Sequence, residues 1–225
     1  MLSKLFSGLI PAVLVFSLLP GIVGCGNTYS SKSINAKINP SNWKLGSSTS
    51  LIKDLNPQVM KEVKESGIDF LEIGWKDLNL EGVSFADKMA YAKRVFNEAS
   101  AENISIWSTH VPYGENFDIT NLDAEKRKKT LVLVKEYIDL GIAMGVKQVV
   151  LHPSEPFEES TRAQRIINCR ESLKELAAYI KGKGAALAME CLPPNFLGSS
   201  STEMLTILDA GSRSEERRVG KECRS

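Results

Sequence analysis

Short apolar runs alternate with longer amphipathic segments over most of the chain. The runs have the length of buried strands, and we predict five of them, at residues 43–46, 68–73, 104–109, 148–151 and 186–189. In the segments between them, apolar residues recur every three or four positions, which is typical of one face of a helix. This regular alternation of strand and helix predicts parallel βα units.

Start and stop signals support this division. Pro57 suits the first turn of a helix, and Gly67 suits the position after its end. Ser84 opens the next helix. Three later helices begin at sequences that resemble capping boxes, at residues 120–123, 161–164 and 200–203, the last of them opening a helix at 204–210. No Asn-Gly turn lies between the strands, which disfavours an antiparallel sheet of hairpins.

Four polar residues stand at or near the ends of consecutive strands: Glu72, His110, His152 and Glu190, spaced by 38, 42 and 38 residues. Reacting groups of closed parallel barrels lie at the carboxyl ends of the strands. Because neighbouring strands are about 4.8 Å apart, His110, His152 and Glu190 can share one cation or one substrate. Two imidazoles and a carboxylate suit Zn²⁺, Mn²⁺ or a related divalent ion.

The length of the chain limits how much of a barrel it can form. It has 225 residues, of which 43% are hydrophobic and 24% charged, as expected for one globular domain. A complete eight-unit barrel takes about 250 residues. We therefore predict an α/β fold, an incomplete (β/α)8 TIM barrel of five units, over residues 43–211. A net charge of +1 gives no electrostatic argument for a nucleic-acid partner.

The chain begins with features of an exported lipoprotein. Residues 1–24 combine Lys4 with a long apolar stretch, as signal peptides do. The sequence then reaches Cys25 in a context that resembles a bacterial lipobox, which implies lipidation of this cysteine and anchoring to a bacterial membrane. Because Gly26 rather than an aspartate follows the cysteine, sorting to the outer membrane is favoured if the host is Gram-negative. The alternative is an ordinary secretory signal with a chance cysteine. Residues 25–42 are polar and predict a flexible tether.

The last residues look foreign to the protein. Residues 213–225 read RSEERRVGKECRS, which resembles the conceptual translation of a common sequencing adapter. We therefore predict that residues 212–225 form a non-native tail that replaces the rest of the barrel. A natural charged tail is the alternative. Cys169 and Cys191 are the two cysteines left for the domain, the first predicted as a buried helix residue and the second beside Glu190, with their pairing open.

Three strand-end sequences carry a family resemblance. Ser108-Thr109-His110-Val111-Pro112, Val150-Leu151-His152-Pro153 and Met189-Glu190-Cys191-Leu192-Pro193 are similar to the xylose isomerase-like TIM barrels, over roughly residues 45–210. This family includes sugar and sugar phosphate isomerases and epimerases and the endonuclease IV group. The resemblance implies the same fold and a divalent metal ion.

The resemblance also implies roles for individual residues. Glu190 matches the metal-binding glutamate of the fifth strand. His110 and His152 match histidines that bind metal in the endonuclease branch and contact substrate in sugar-acting members. Glu72 matches an acidic position that binds a sugar hydroxyl, with a salt bridge as the alternative. Trp75 and Trp107 are candidates either for stacking on a sugar ring or for core packing.

The function implied is a metal-dependent isomerase or epimerase of a sugar or sugar phosphate that works through an enediolate, with Glu190 as a catalytic base. In the sugar epimerases a second glutamate on the eighth strand shares this work, and the chain lacks that strand, so we expect these 225 residues alone to be inactive. Two alternatives stay open: a phosphodiester hydrolase like endonuclease IV, and a non-catalytic sugar-binding lipoprotein.

Overall fold

A computed structural model describes residues 43–52, 54–78 and 82–208 of the chain. Five strands alternate with helices in this part: β1 Gly46–Ser48, β2 Phe70–Ile73, β3 Ser105–His110, β4 Gln148–Leu151 and β5 Ala186–Met189. The α-helices are α1 Pro57–Glu65, α2 Trp75–Leu78, α3 Phe85–Ala101, α4 Ala124–Ala143, α5 Arg162–Ile180 and α6 Ser201–Leu208. The predicted signal peptide, Cys25, the tether and the tail at 212–225 lie outside the described residues.

The five strands form one parallel sheet in the order β1-β2-β3-β4-β5. The prediction of an α/β fold built from parallel βα units is therefore confirmed. None of the described helices is long and apolar enough to cross a membrane.

The core lies between the sheet and the helices. One face of β2, β3 and β4 contributes apolar side chains that are almost fully buried, such as Leu71, Ile73 and Val149. Helices α3, α4 and α5 cover this face with Val95, Ile138, Leu176 and similar residues. Because side chains alternate across a strand, the opposite face of the sheet carries the polar residues Glu72, Ser108 and His110.

The pairing of β2 with β3 contains a register shift. Leu71 pairs with Ile106, but Glu72 pairs with Ser108, so Trp107 is passed over. After the shift the register continues regularly, and His110 pairs with Val150 of β4. The extra residue in β3 brings Glu72 and Ser108 opposite each other.

Four of the predicted elements have wrong bounds. β2 is Phe70–Ile73 rather than 68–73, and β3 is Ser105–His110 rather than 104–109. The first strand begins at Gly46 rather than spanning 43–46, because pairing with β2 starts where Gly46 meets Phe70, and the apolar Trp43 and Leu45 are exposed. The last helix begins at Ser201, ahead of the predicted 204.

Two of the three predicted capping boxes are also wrong. The N-cap of α4 is Asp123, whose carboxylate accepts from the backbone N–H groups of Glu125 and Lys126. At the start of α5, Thr161 is the N-cap but makes no side-chain capping bond. At α6, Ser200 does accept from the backbone N–H of Glu203, as predicted.

A buried polar network explains why Thr120 is not a cap. Asp118, in the segment between β3 and α4, accepts hydrogen bonds from the backbone N–H and the hydroxyl of Thr120. Arg165 of α5 approaches the other oxygen of Asp118 to 2.7 Å. Asn168 and Ser172 of the same helix donate to backbone carbonyls of Thr120 and Ile119. The network therefore ties the segment that follows His110 to α5.

Replacing Arg165 with methionine is expected to destabilise the fold. The change removes the guanidinium that pairs with the carboxylate of Asp118, whose side chain is only 7% exposed. Breaking a buried ion pair by removing one partner costs about 3 kcal/mol or more. Chemical denaturation of Arg165→Met measures the loss. Arg170→Met on the same helix is the matched control, with an expected effect under about 0.5 kcal/mol. Equal unfolding free energies for the two variants would contradict this account.

Candidate metal centre

The strand ends bring three candidate ligands to one place. His110 is the last residue of β3, His152 follows β4 directly, and Glu190 follows β5 directly. The parallel ladder continues past these ends, because the Val111 N–H donates to Val150 O at 2.8 Å and the Glu190 N–H to Leu151 O at 3.1 Å. His110, His152 and Glu190 therefore emerge from neighbouring strands on the same face of the sheet.

The three side chains converge on one oxygen. Oε2 of Glu190 lies 2.8 Å from Nε2 of His110 and 3.2 Å from Nε2 of His152. One ligand atom from each residue lies within 4.8 Å of the others. The imidazole rings are almost perpendicular, at 88°, with centroids 5.2 Å apart. This is the only group of three or more potential metal-ligating side chains found in the described part of the chain.

This group fits a divalent cation. Ligand atoms bound at about 2.0–2.2 Å from a four-coordinate metal lie roughly 3.3–3.6 Å from one another. The 3.2 Å spacing from Glu190 to His152 is close to this range, and the 2.8 Å spacing to His110 would lengthen by about 0.5 Å around a cation. Two nitrogens and one oxygen suit Zn²⁺ or Mn²⁺. The histidine side chains are only 14% exposed, whereas that of Glu190 is 42% exposed. The three residues thus form a partly open site.

The charges of these residues depend on one another. The hydrogen bonds from His110 and His152 lower the pKa of Glu190 to about 2. Burial disfavours the imidazolium of His152, but the carboxylates of Glu155 and Glu190 outweigh it and raise the pKa of His152 to about 9. Without a cation, a proton on His152 therefore balances the negative charge of Glu190 at neutral pH.

Glu72 lies one strand away from this group. Its carboxylate accepts a hydrogen bond from the hydroxyl of Ser108 at 3.0 Å. No described residue forms an ion pair with Glu72, so the alternative prediction of a salt bridge is not supported in this part of the chain. Glu72 faces the same side of the sheet as His110, where it can meet a ligand.

Aromatic residues border the candidate metal centre on one side. Tyr113 stacks on His152 with ring centroids 4.8 Å apart and planes 11° apart. Trp75 contacts Tyr113 edge to face at 5.1 Å, and Phe196 contacts His152 at 6.2 Å. Trp107 instead packs on Phe70, the first residue of β2, away from the strand ends. Of the two tryptophans named from the sequence, Trp75 is the one beside the centre.

Three residues near the centre were not predicted from the sequence, because they lie in loops without a periodic pattern: Tyr113, Glu155 and Phe196. Tyr113 could have been found from its position, three residues after His110 and directly after Pro112.

The two domain cysteines do not form a disulfide. Cys169 is a buried residue of α5, as predicted, and its thiol donates to the carbonyl of Pro153 at 3.2 Å. Cys191 is exposed and free. Burial raises the pKa of the Cys169 thiol well above its ordinary value, so this cysteine is a packing residue.

Solved structures with the same fold include several sugar epimerases. A D-psicose 3-epimerase solved in the presence of D-fructose has 14% identity and a TM-score of 0.62, covering 75% of this chain and 60% of its own. The D-psicose 3-epimerase of Clostridium cellulolyticum H10, solved with D-tagatose, has 15% identity and a TM-score of 0.62, covering 74% and 59%. The D-allulose 3-epimerase of a Methylomonas species, solved with D-allulose, has 16% identity and a TM-score of 0.57, covering 75% and 58%.

These similarities concern the fold alone, and the chain spans less than two thirds of the length of these structures. A comparison with curated protein sequences found no match. Residues 60–215, well over half of the chain, match the family described as xylose isomerase-like TIM barrel. The chain therefore belongs to the xylose isomerase-like TIM barrel family.

Proposed function

We propose that this chain carries part of the active site of a metal-dependent isomerase or epimerase that acts on a sugar or a sugar phosphate. One observation supports this above the others: Glu190 Oε2 lies between the Nε2 atoms of His110 and His152 at the carboxyl ends of three adjacent parallel strands. The sugar epimerases among the solved structures of this fold support the choice of substrate class.

His110, His152 and Glu190 would hold the cation, with Zn²⁺ or Mn²⁺ preferred for this ligand set. When bound, such a cation acts as a Lewis acid that stabilises negative charge on the carbonyl oxygen of an open-chain sugar. Glu72 is placed to accept a hydrogen bond from a sugar hydroxyl. Trp75 and Tyr113 provide an apolar wall beside the same site.

Glu190 has two proposed roles with different requirements. A metal ligand must stay ionised, and a pKa of about 2 ensures this. A general base works best with a pKa near the working pH. A carboxylate held by two imidazole protons, or by the cation that would replace them, is a weak base. Proton removal by Glu190 therefore depends on the acidity that the cation would give to the sugar proton.

An endonuclease IV-like phosphodiester hydrolase is the second candidate, and the charge of the nearby loops argues against it. Residues 111–121 and 152–161 follow His110 and β4, and they contain five acidic residues and no lysine or arginine. Nucleic-acid binding depends on basic groups that neutralise phosphates.

A non-catalytic sugar-binding lipoprotein is the third candidate. This candidate would be favoured if a protein with all eight barrel strands binds the sugar and the cation but does not convert the sugar.

Replacing Glu190 should abolish tight cation binding. Glu190→Gln keeps the shape of the side chain but removes the charge shared by both imidazoles, so we expect the Kd for Zn²⁺ or Mn²⁺ to rise at least about 100-fold. Isothermal titration calorimetry measures the Kd. Glu171→Gln, on the exposed face of α5, is the control and should bind like the wild type. Unchanged binding by Glu190→Gln would refute the proposed centre.

Cation binding is the first measurement of the proposed function, because it requires only the residues at the carboxyl ends of β3, β4 and β5. Turnover on a panel of ketoses and ketose phosphates is the second. These 225 residues alone are predicted to be inactive, and measurable turnover would contradict that prediction.

Cation affinity should increase with pH. The pKa of His152 is about 9 in the metal-free protein, so below that pH a proton must leave His152 before its nitrogen can bind a cation. We expect about a tenfold gain in affinity per pH unit from neutral pH towards 9, and a plateau above it. Titrations in buffers of different ionisation enthalpy count the released proton. An affinity independent of pH over this range would exclude His152 as a ligand.

Cys25 is proposed to carry the lipid that anchors the protein to a bacterial membrane on the exported side. Cys25→Ser should remove the modification and move the protein from the membrane fraction to the soluble exported fraction. Labelling with radioactive fatty acid and fractionation measure both effects. Cys191→Ser, which changes the exposed cysteine of the domain, is the control. Labelling that survives in Cys25→Ser would rule out this site.

A further inference from the structure

The two candidate ligand histidines are oriented by different means. Nδ1 of His110 donates to the backbone carbonyl oxygen of Val111 at 2.7 Å. Because a carbonyl can only accept, this hydrogen bond keeps a proton on Nδ1 and directs Nε2 towards Glu190. The backbone therefore fixes the ring position of His110 and, when Nε2 binds a cation, its tautomer.

His152 has no equivalent bond. Its Nδ1 atom is buried and makes no hydrogen bond to any described residue. A buried polar atom without a partner costs about 1–3 kcal/mol. Metal-bound histidines almost always donate their second ring N–H to a carboxylate, a carbonyl or water. His152 therefore requires an acceptor that can approach Nδ1.

Glu155 offers this acceptor. Its Oε1 atom lies 3.8 Å from Nδ1 of His152, and both side chains are only 14% exposed. The same oxygen accepts from the backbone N–H of Gly114 at 2.8 Å. Since a carboxylate oxygen can accept two donors, a shift of about 1 Å would complete a hydrogen bond to His152.

The loop after β3 holds both partners in place. Gly114 has a φ of +113°, a conformation that side-chain-bearing residues rarely adopt, and its N–H reaches Glu155 from there. Tyr113, one residue earlier, stacks on His152. The loop therefore restrains His152 in two ways: Tyr113 covers one face of its ring, and Gly114 holds Glu155 near its Nδ1 atom.

We propose that Glu155 is the positioning residue of His152: it accepts the Nδ1–H hydrogen bond and thereby directs Nε2 at the cation. Gly114 holds the carboxylate in the required orientation. Glu155 itself touches neither the cation nor the substrate. This inference rests on the proposed function, because it takes His152 as a cation ligand through Nε2.

Three variants of the full chain test the proposal: Glu155→Ala, Glu155→Gln and the control Glu158→Gln. Glu158 is an exposed residue of the same loop, so its replacement removes the same charge. We expect the Kd for Zn²⁺ to rise about 10–100-fold in Glu155→Ala, less in Glu155→Gln because its amide oxygen still accepts, and less than about twofold in Glu158→Gln.

Ring ¹⁵N chemical shifts of the histidines give a readout that does not depend on affinity or activity. In the Zn²⁺-loaded protein they report which nitrogen of His152 carries the proton. We expect the Nδ1–H form in the wild type and a mixture of both tautomers in Glu155→Ala. In the metal-free protein at neutral pH, where His152 is protonated, the shifts of the Nδ1–H group report its hydrogen bond, and we expect them to change in Glu155→Ala. His110, whose partner is Val111, should not change.

Wild-type affinity together with a wild-type His152 tautomer in Glu155→Ala would overturn the proposal. If the wild-type protein binds no cation, the proposed function fails, and the shifts of the metal-free protein still decide the role of Glu155. If Glu155→Ala does not fold, Glu155→Gln carries the comparison at a smaller amplitude, because a neutral amide oxygen is a weaker acceptor than a carboxylate. A Kd and His152 shifts equal to those of the wild type in Glu155→Gln would then overturn the proposal. A shift change in Glu158→Gln equal to that in Glu155→Ala would also contradict the proposal.

Discussion

Parallel pairing of β3, β4 and β5 is the constraint on which the candidate centre depends. The register places His110 beside Val150, and Val150 beside Ala188. Residues two positions apart on a strand share a face. His152, two residues after Val150, and Glu190, two residues after Ala188, therefore lie on the same face as His110. Backbone hydrogen bonds continue the ladder to Val111 and Glu190. Three residues far apart in the sequence are therefore brought together by the backbone, and their side chains need only local contacts for final orientation.

This explains how much the sequence could predict. A buried parallel strand is a short apolar run, and a histidine or a glutamate stands at or directly after the end of three of these runs, so His110, His152 and Glu190 could be identified together. Their convergence follows from strand spacing alone. The positions of Tyr113 and Glu155 could not be predicted in this way, because loop paths depend on turns, on Gly114 and on tertiary hydrogen bonds, none of which produces a periodic pattern.

The incorrect capping predictions have a related cause. A threonine followed three residues later by an acidic residue or glutamine resembles a helix start, but the same side chains can form tertiary hydrogen bonds. Thr120 donates to Asp118, which Arg165 of α5 also contacts. The buried pair between Asp118 and Arg165 thus replaces the local cap. It also anchors the segment that leaves the candidate centre, so packing against α5 contributes to the placement of the β3 loop.

The register shift between β2 and β3 has a consequence for related chains of different length. Because Trp107 is the extra residue, its loss would leave Glu72 opposite Ser108 and the later faces of β3 unchanged. Removing a residue between Ser108 and His110 would instead exchange the faces and turn His110 towards the helices. A family with this centre can vary in the length of its helices and loops, and at the bulge, but the phase of β3 from Ser108 to His110 must be preserved. Natural insertions and deletions should therefore avoid this three-residue stretch.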